Sequence, residues 1–277
     1  MIVRELPDGR VMAITQENHA DVSAQFAAHW GNDTFARLEP FETLVFATTY
    51  HDSGHREVDA EVPFDLENCR PYGHRNTPPE RRKPEALEAN NQWLCNHDIY
   101  SGLLVSMHHT GLRKKRYDTI ESWQTAGQGQ TSIHDTFVGM DRAFDDLESW
   151  QKKHAATLGL DDRAARRTFW SNYCMLQVFD LLSLYFCLDG YTGERMVETA
   201  LVGIPLAYQG DAVADLHIVP TKGGQVRMDP YPFDDSPLRA VVPARILTPA
   251  PYASEAQARA AFFVAPRQAL EWEITAS

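Results

Sequence analysis

Residues Phe41 to Asp52, FETLVFATTYHD, constrain the fold of this chain more than any other stretch. Phe41, Leu44 and Val45 recur at helical spacing, Thr48 continues the stripe, and His51 and Asp52 follow ten and eleven residues after Phe41. A helix turns about 100° per residue, so the imidazole and the carboxylate are expected on its core-facing side. Burying them side by side is unfavourable unless something compensates, and a cation is the simplest compensation. The question for the rest of the chain is whether other helices bring ligands to the same point.

Three other predicted helices offer them. Thr15 is a suitable cap for a helix over Gln16–Trp30, where His19 shares a face with Val22, Phe26 and Trp30. A long helix is predicted from Glu85 to His109, with His108 near its end and His109 as a rival one position on. His97 shares its face but stands eleven residues earlier, about 16 Å away along a straight helix. A last long helix, about Asp161 to Leu188, carries Trp170, Tyr173, Gln177, Asp180, Leu184 and Cys187 as a stripe. Asp180 lies in an apolar stretch, and a carboxylate there requires a partner. Helical bundles build metal sites in this way, from facing side chains on separate helices.

The rest of the chain is read more coarsely. Ile2–Leu6 and Arg10–Ile14 flank Pro7–Asp8–Gly9 as a β-hairpin. The Pro-rich region Asp59–Pro84 holds His74, Arg70, Arg75, Arg81, Arg82 and Lys83, and a loop of that length is expected to wall or cover a site. Thr119–His134 reads as a connector and Asp135–Leu158 as an amphipathic outer helix. Beyond Thr199, short β-type runs and one helix predict a small α+β subdomain with antiparallel strands, which the N-terminal hairpin is free to join. The expected fold is thus mainly α: a helical domain over residues 1–195 with an appended subdomain over 196–277.

The composition narrows the function. A net charge of −12 argues against a nucleic-acid binder, although a metal lets an acidic protein take an anionic substrate. Scattered Cys69, Cys95, Cys174 and Cys187 suit reduced thiols, and no segment has the uninterrupted apolar length of a membrane span. A cytoplasmic protein is expected, with homo-oligomerisation left open. No GxSxG elbow, Walker loop or dinucleotide fingerprint occurs. His51 and His55 have the spacing of a zinc-protease HExxH helix, but Asp52 replaces the glutamate and Gly54 disfavours helix between them.

The order His19, His51–Asp52, His108, Asp180 resembles the HD-domain superfamily of metal-dependent phosphohydrolases, over roughly residues 15–190. HDSGH, SMHHTGL and LQVFDLLSLYFC are also similar to segments of an uncharacterised HD-like bacterial family defined only as a domain of unknown function. The resemblance implies an HD-type helical bundle in which His19, His51, Asp52 and Asp180 bind a first metal. In dinuclear members Asp52 would bridge to a second metal held by two further histidines, with His108 as one and His74 or His97 as the other. The implied cofactor is one or two divalent ions of iron, manganese, nickel or zinc. The implied reaction is hydrolysis of a phosphate ester or related small anion, or, in di-iron members, oxidation of a small substrate; the remaining alternative is a non-enzymatic metal-containing binding protein. Asp52 and His108 are the catalytic candidates; Gln177, Ser183 and Arg75 are the candidate substrate contacts.

Overall fold

A computed structural model describes residues 1–114, 141–189 and 198–277. Pro7–Asp8–Gly9 turns the chain: Asp8 Oδ1 accepts the Arg10 N–H at 3.0 Å, and Gly9 takes φ +81°, where a side chain is strained. Strands β1 (Ile2–Glu5) and β2 (Val11–Ile14) consequently pair antiparallel, with Ile2 opposite Ile14. Thr15 accepts the Asn18 N–H at 3.2 Å and starts α1 (Gln16–His29). Helix α2 (Phe41–Tyr50) buries Leu44, Ala47 and Thr48, whereas Phe41 lies exposed at its start. A short 3-10 turn at Ser53–His55 and helix α3 (Arg56–Glu61) follow.

The Pro-rich region contains the small ribbon β3 (Phe64–Asp65) and β4 (Arg70–Pro71). Beyond it, the single helix expected over 85–109 is two: α4 (Pro84–His97) and α5 (Ile99–Lys114). The break is chemical. The Asp98 carboxylate accepts the backbone N–H of Tyr100 and Ser101, at 3.3 and 2.9 Å, and so caps a new helix. Gly102 permits the elbow, because a Cβ there would lie 2.0 Å from Cys95 Sγ and 2.9 Å from the Cys95 nitrogen.

Helix α6 (Asp141–Thr157) matches most of the expected outer helix, and the connector Thr119–His134 falls outside the described residues. Helix α7 (Arg163–Asp189) is buried on nearly every side from Ser171 to Cys187, as the central helix of a core must be. It packs against α1, α2 and α5, and also against β1 and β5. No described helix is long and apolar enough to cross a membrane.

Strands β5 (Thr199–Pro205), β6 (Val213–Pro220), β7 (Gln225–Asp229) and β8 (Leu238–Leu247), helix α8 (Glu255–Val264) and strand β9 (Arg267–Ala276) complete the fold. The expectation of a mainly α protein with a small appended sheet is corrected here. Seven strands form one mixed, curled sheet in the order β1-β2-β8-β9-β7-β6-β5, a half-barrel, and the fold is α/β. The hairpin enters through β2 against β8, with Met12 opposite Ile246. The β7–β9 pair is parallel, against the antiparallel arrangement expected. One apolar core joins helices to sheet: Phe26 and Phe186 touch at 5.4 Å, and Phe186 meets Trp272 of β9 at 5.2 Å.

Candidate metal centre

Each ligand candidate is delivered by local sequence logic. On α2 the buried positions Leu44, Ala47 and Thr48 lead one turn further to His51, which is fully buried just after the helix. Asp52 leaves helical geometry at φ −108°, ψ 10°, and opens the Ser53–His55 turn. Gly54 lets this turn press on α4, where a Cβ would meet the Ala86 carbonyl oxygen at 3.1 Å. His19 extends inward from α1, His108 and His109 from α5, and Asp180 from α7; all four are at most 4% exposed.

These side chains converge. His19 Nε2 lies 2.9 Å from Asp180 Oδ1 and 3.6 Å from Asp52 Oδ2. His51 Nε2 lies 3.5 Å from Asp180 Oδ1 and 3.9 Å from Asp52 Oδ2. His108 Nε2 is 3.9 Å from Asp180 Oδ2. Among the described residues, His19, His51 and Asp180 form one triad of potential ligand atoms, and His51, Asp52 and His108 form another, each within 4.8 Å.

The hydrogen bonds behind the histidines set which nitrogen faces inward. His51 Nδ1 bonds the Thr48 carbonyl at 2.7 Å, so Nδ1 carries a proton and Nε2, which has no hydrogen bond, points to the carboxylates. His19 Nδ1 bonds Ser183 Oγ at 2.5 Å. Ser183 directs its single proton to the Asp180 backbone carbonyl at 2.8 Å and receives one from Ser23 Oγ at 2.8 Å, so it accepts from His19. Metal-ligating histidines commonly donate their second N–H to a protein oxygen in this manner.

Two carboxylates and two inward imidazole nitrogens thus share one buried space. Burial penalises charge on His51, but Asp52 and Asp180 outweigh it and raise its pKa to about 9. Burial also opposes the Asp52 and Asp180 charges, yet the surrounding histidines hold both carboxyls below the ordinary range. His108 is pushed down to about 3, chiefly by burial, and is neutral. Atoms about 2.1 Å from one ion stand roughly 3–3.5 Å apart. The His19, His51 and Asp180 atoms, at 2.9 and 3.5 Å, suit that spacing. The residues fit a cation, and the nitrogen–carboxylate set suits a transition metal.

Asp52 has a second side. Gln16 Nε2 donates to its Oδ2 at 2.9 Å, while Oδ1 faces His109 Nε2 at 3.8 Å and His55 Nε2 at 3.9 Å. Neither ring nitrogen of His109 has a hydrogen bond. His74 belongs to neither described triad; it is half-buried, and its backbone N–H donates to the Met1 carbonyl at 2.7 Å. Burial, then the chain's N-terminal ammonium and Arg75, lower its pKa to about 3. His97 stands apart, exposed, its ring against Trp93 at 4.8 Å and Phe46 at 5.6 Å.

The candidate substrate contacts differ in setting. Gln177 is buried one turn before Asp180, with Oε1 lacking a hydrogen bond. Ser183 is committed to His19, Asp180 and Ser23, as above. Arg75 is half-buried next to His74, and Arg70, Arg81 and Lys83 of the same region pair with Glu5, Glu255 and Glu61. Gln16 was not singled out from sequence; its position immediately after the Thr15 cap is the signal that places it near the α1 histidine.

No curated protein and no solved structure compared with the chain matches it. One family model does, over residues 1–249, a span that includes every ligand candidate named above. The chain belongs to the family described as "Protein of unknown function (DUF3891)".

Proposed function

We propose that the chain is an HD-type, metal-dependent hydrolase of a phosphate ester or related small anion. The observation that carries this reading is the inward turn of His19 and His51 Nε2 onto Asp180 and Asp52, in the chain order His, His–Asp, Asp. His19, His51, Asp52 and Asp180 would hold the ion, with His108 beside them. When bound, a divalent transition metal supplies Lewis acidity and lowers the pKa of water toward neutrality.

The chain's own residues supply the rest. Thr48 and Ser183 fix the two imidazole tautomers, and Gln16 fixes Asp52 by binding Oδ2. Asp52 Oδ1, which Gln16 leaves unbound, would take the proton of the water that attacks the substrate. Burial keeps His108 neutral, so that one of its ring nitrogens carries no proton. Arg75 offers positive charge and Gln177 a hydrogen-bonding side chain to the substrate. Burial excludes bulk water and strengthens each of these interactions.

A second reading rests on the two sides of Asp52. His55 and His109 face Oδ1 and would be the residues to hold a second ion there, and two irons would suit oxidation of a small substrate by dioxygen. Hydrolysis is tested by assaying p-nitrophenyl phosphate and nucleotide monophosphates with manganese, nickel, zinc or iron added to chelated protein. Metal-dependent phosphate release that is lost in Asp180→Asn supports it. Two irons per chain with a mixed-valent EPR signal and no phosphate release would replace it with the oxidative reading.

A further inference from the structure

Away from the metal centre, a cavity of about 580 Å³ lies between the end of β8, the second half of α8 and the start of β9. Ile246, Leu247, Ala261 and Val264 supply the apolar part of a mixed lining, and its charged lining residues are Arg10 and Arg267. No carboxylate lines it among the described residues. That is the reverse of the chain as a whole, whose net charge is −12.

Arg267 faces a like charge across the sheet. Arg245 and Arg267 are directly opposite each other in the β8–β9 register, and facing like charges destabilise an antiparallel pair. Arg245 is explained by α8. It donates to the Phe263 and Ala265 carbonyls at 3.0 Å each, capping the negative end of that helix. Arg267 is exposed and makes no ion pair among the described residues. Arg10 pairs with Asp8, but both side chains are about half exposed, so that pair holds it weakly. At the rim, Val264 is an apolar side chain 83% exposed.

We propose that this cavity binds a small amphiphilic anion, a carboxylate on a short apolar chain. The head group sits against the guanidinium of Arg267, with Arg10 near it, and the chain lies on Ile246, Leu247 and Val264. Arginine suits this role because its planar donors match a carboxylate in two parallel hydrogen bonds. The volume is that of a small-molecule site, too small for a folded partner.

The test is calorimetric titration of the full chain with octanoate and with octan-1-ol. Octanoate is expected to bind at one site, with octan-1-ol about tenfold weaker or worse, because it lacks the charge-assisted bond. Arg267→Glu, Arg267→Gln and Val264→Asp should each weaken octanoate about tenfold or more, with circular dichroism unchanged. Equal binding of acid and alcohol, several equivalent sites, or wild-type affinity in Arg267→Gln would overturn the proposal. So would the absence of octanoate binding at millimolar concentration.

Discussion

His51 concentrates the chemistry of the centre at one side chain. Thr48 occupies its Nδ1, its Nε2 has no hydrogen bond, and it is common to both ligand triads. His51→Ala is expected to weaken divalent-metal binding at least about tenfold, the scale on which even outlying partners of ligands act. Titration of zinc or manganese into chelated protein measures it, with His97→Ala as the unaffected control. The same residue sets the pH dependence. Because its pKa is raised to about 9, a proton competes with metal for Nε2 at neutral pH. Affinity should therefore rise with pH from 7 toward 9, and binding at pH 7 should release protons. Binding heats that do not vary with the ionisation enthalpy of the buffer would contradict this. At this scale much was legible beforehand, because helical phase alone aligned His19, His51, His108 and Asp180 with apolar stripes. It set His108 ahead of His109, yet both reach the centre, one toward Asp180 and the other toward Asp52. Gln16 and His55 were not legible, since their contacts with Asp52 depend on how α1 and the Ser53–His55 turn meet.

Helices α4 and α5 meet at an elbow that brings His108 and His109 inward while leaving His97 at the surface. Periodicity alone joined these two helices into one, because apolar residues continue on both sides of Asp98. The capping chemistry of Asp98, with Ser101 three residues on, is the local signal that outweighs periodicity. Gly102→Ala tests the packing at the elbow. Alanine favours a helix by up to about 1 kcal/mol over glycine, but here its Cβ meets Cys95 backbone as well as Sγ. The expected outcome is net destabilisation of about 1–3 kcal/mol in urea unfolding. Metal binding should weaken with it, because α5 carries two of the histidines. An equally stable or more stable variant would show that α4 and α5 adjust freely.

Across the whole molecule, the helices and the sheet share a core, and this was the least legible level. The strand runs were visible one by one, from TALVGIP to ALEWEI. Their assembly was not, because β2 pairs with β8 across more than two hundred residues and no local pattern encodes that register. Trp272, 2% exposed on β9 and in contact with Phe186 of α7, ties the two layers. Trp272→Ala should cost about 3–5 kcal/mol, with far-ultraviolet dichroism and near-ultraviolet signals lost in one transition. A sheet that unfolds separately from the helices would contradict the shared core.

The central claim is that the shared core positions four elements around a cation, and a single measurement tests it most directly. It is the metal content of chain purified without chelators, with thermal unfolding followed before and after chelation. At least one iron, manganese, nickel or zinc ion per chain is expected, with a midpoint that falls on chelation and returns when the ion is restored. Metal-free protein whose midpoint is the same with and without each of these ions would contradict it.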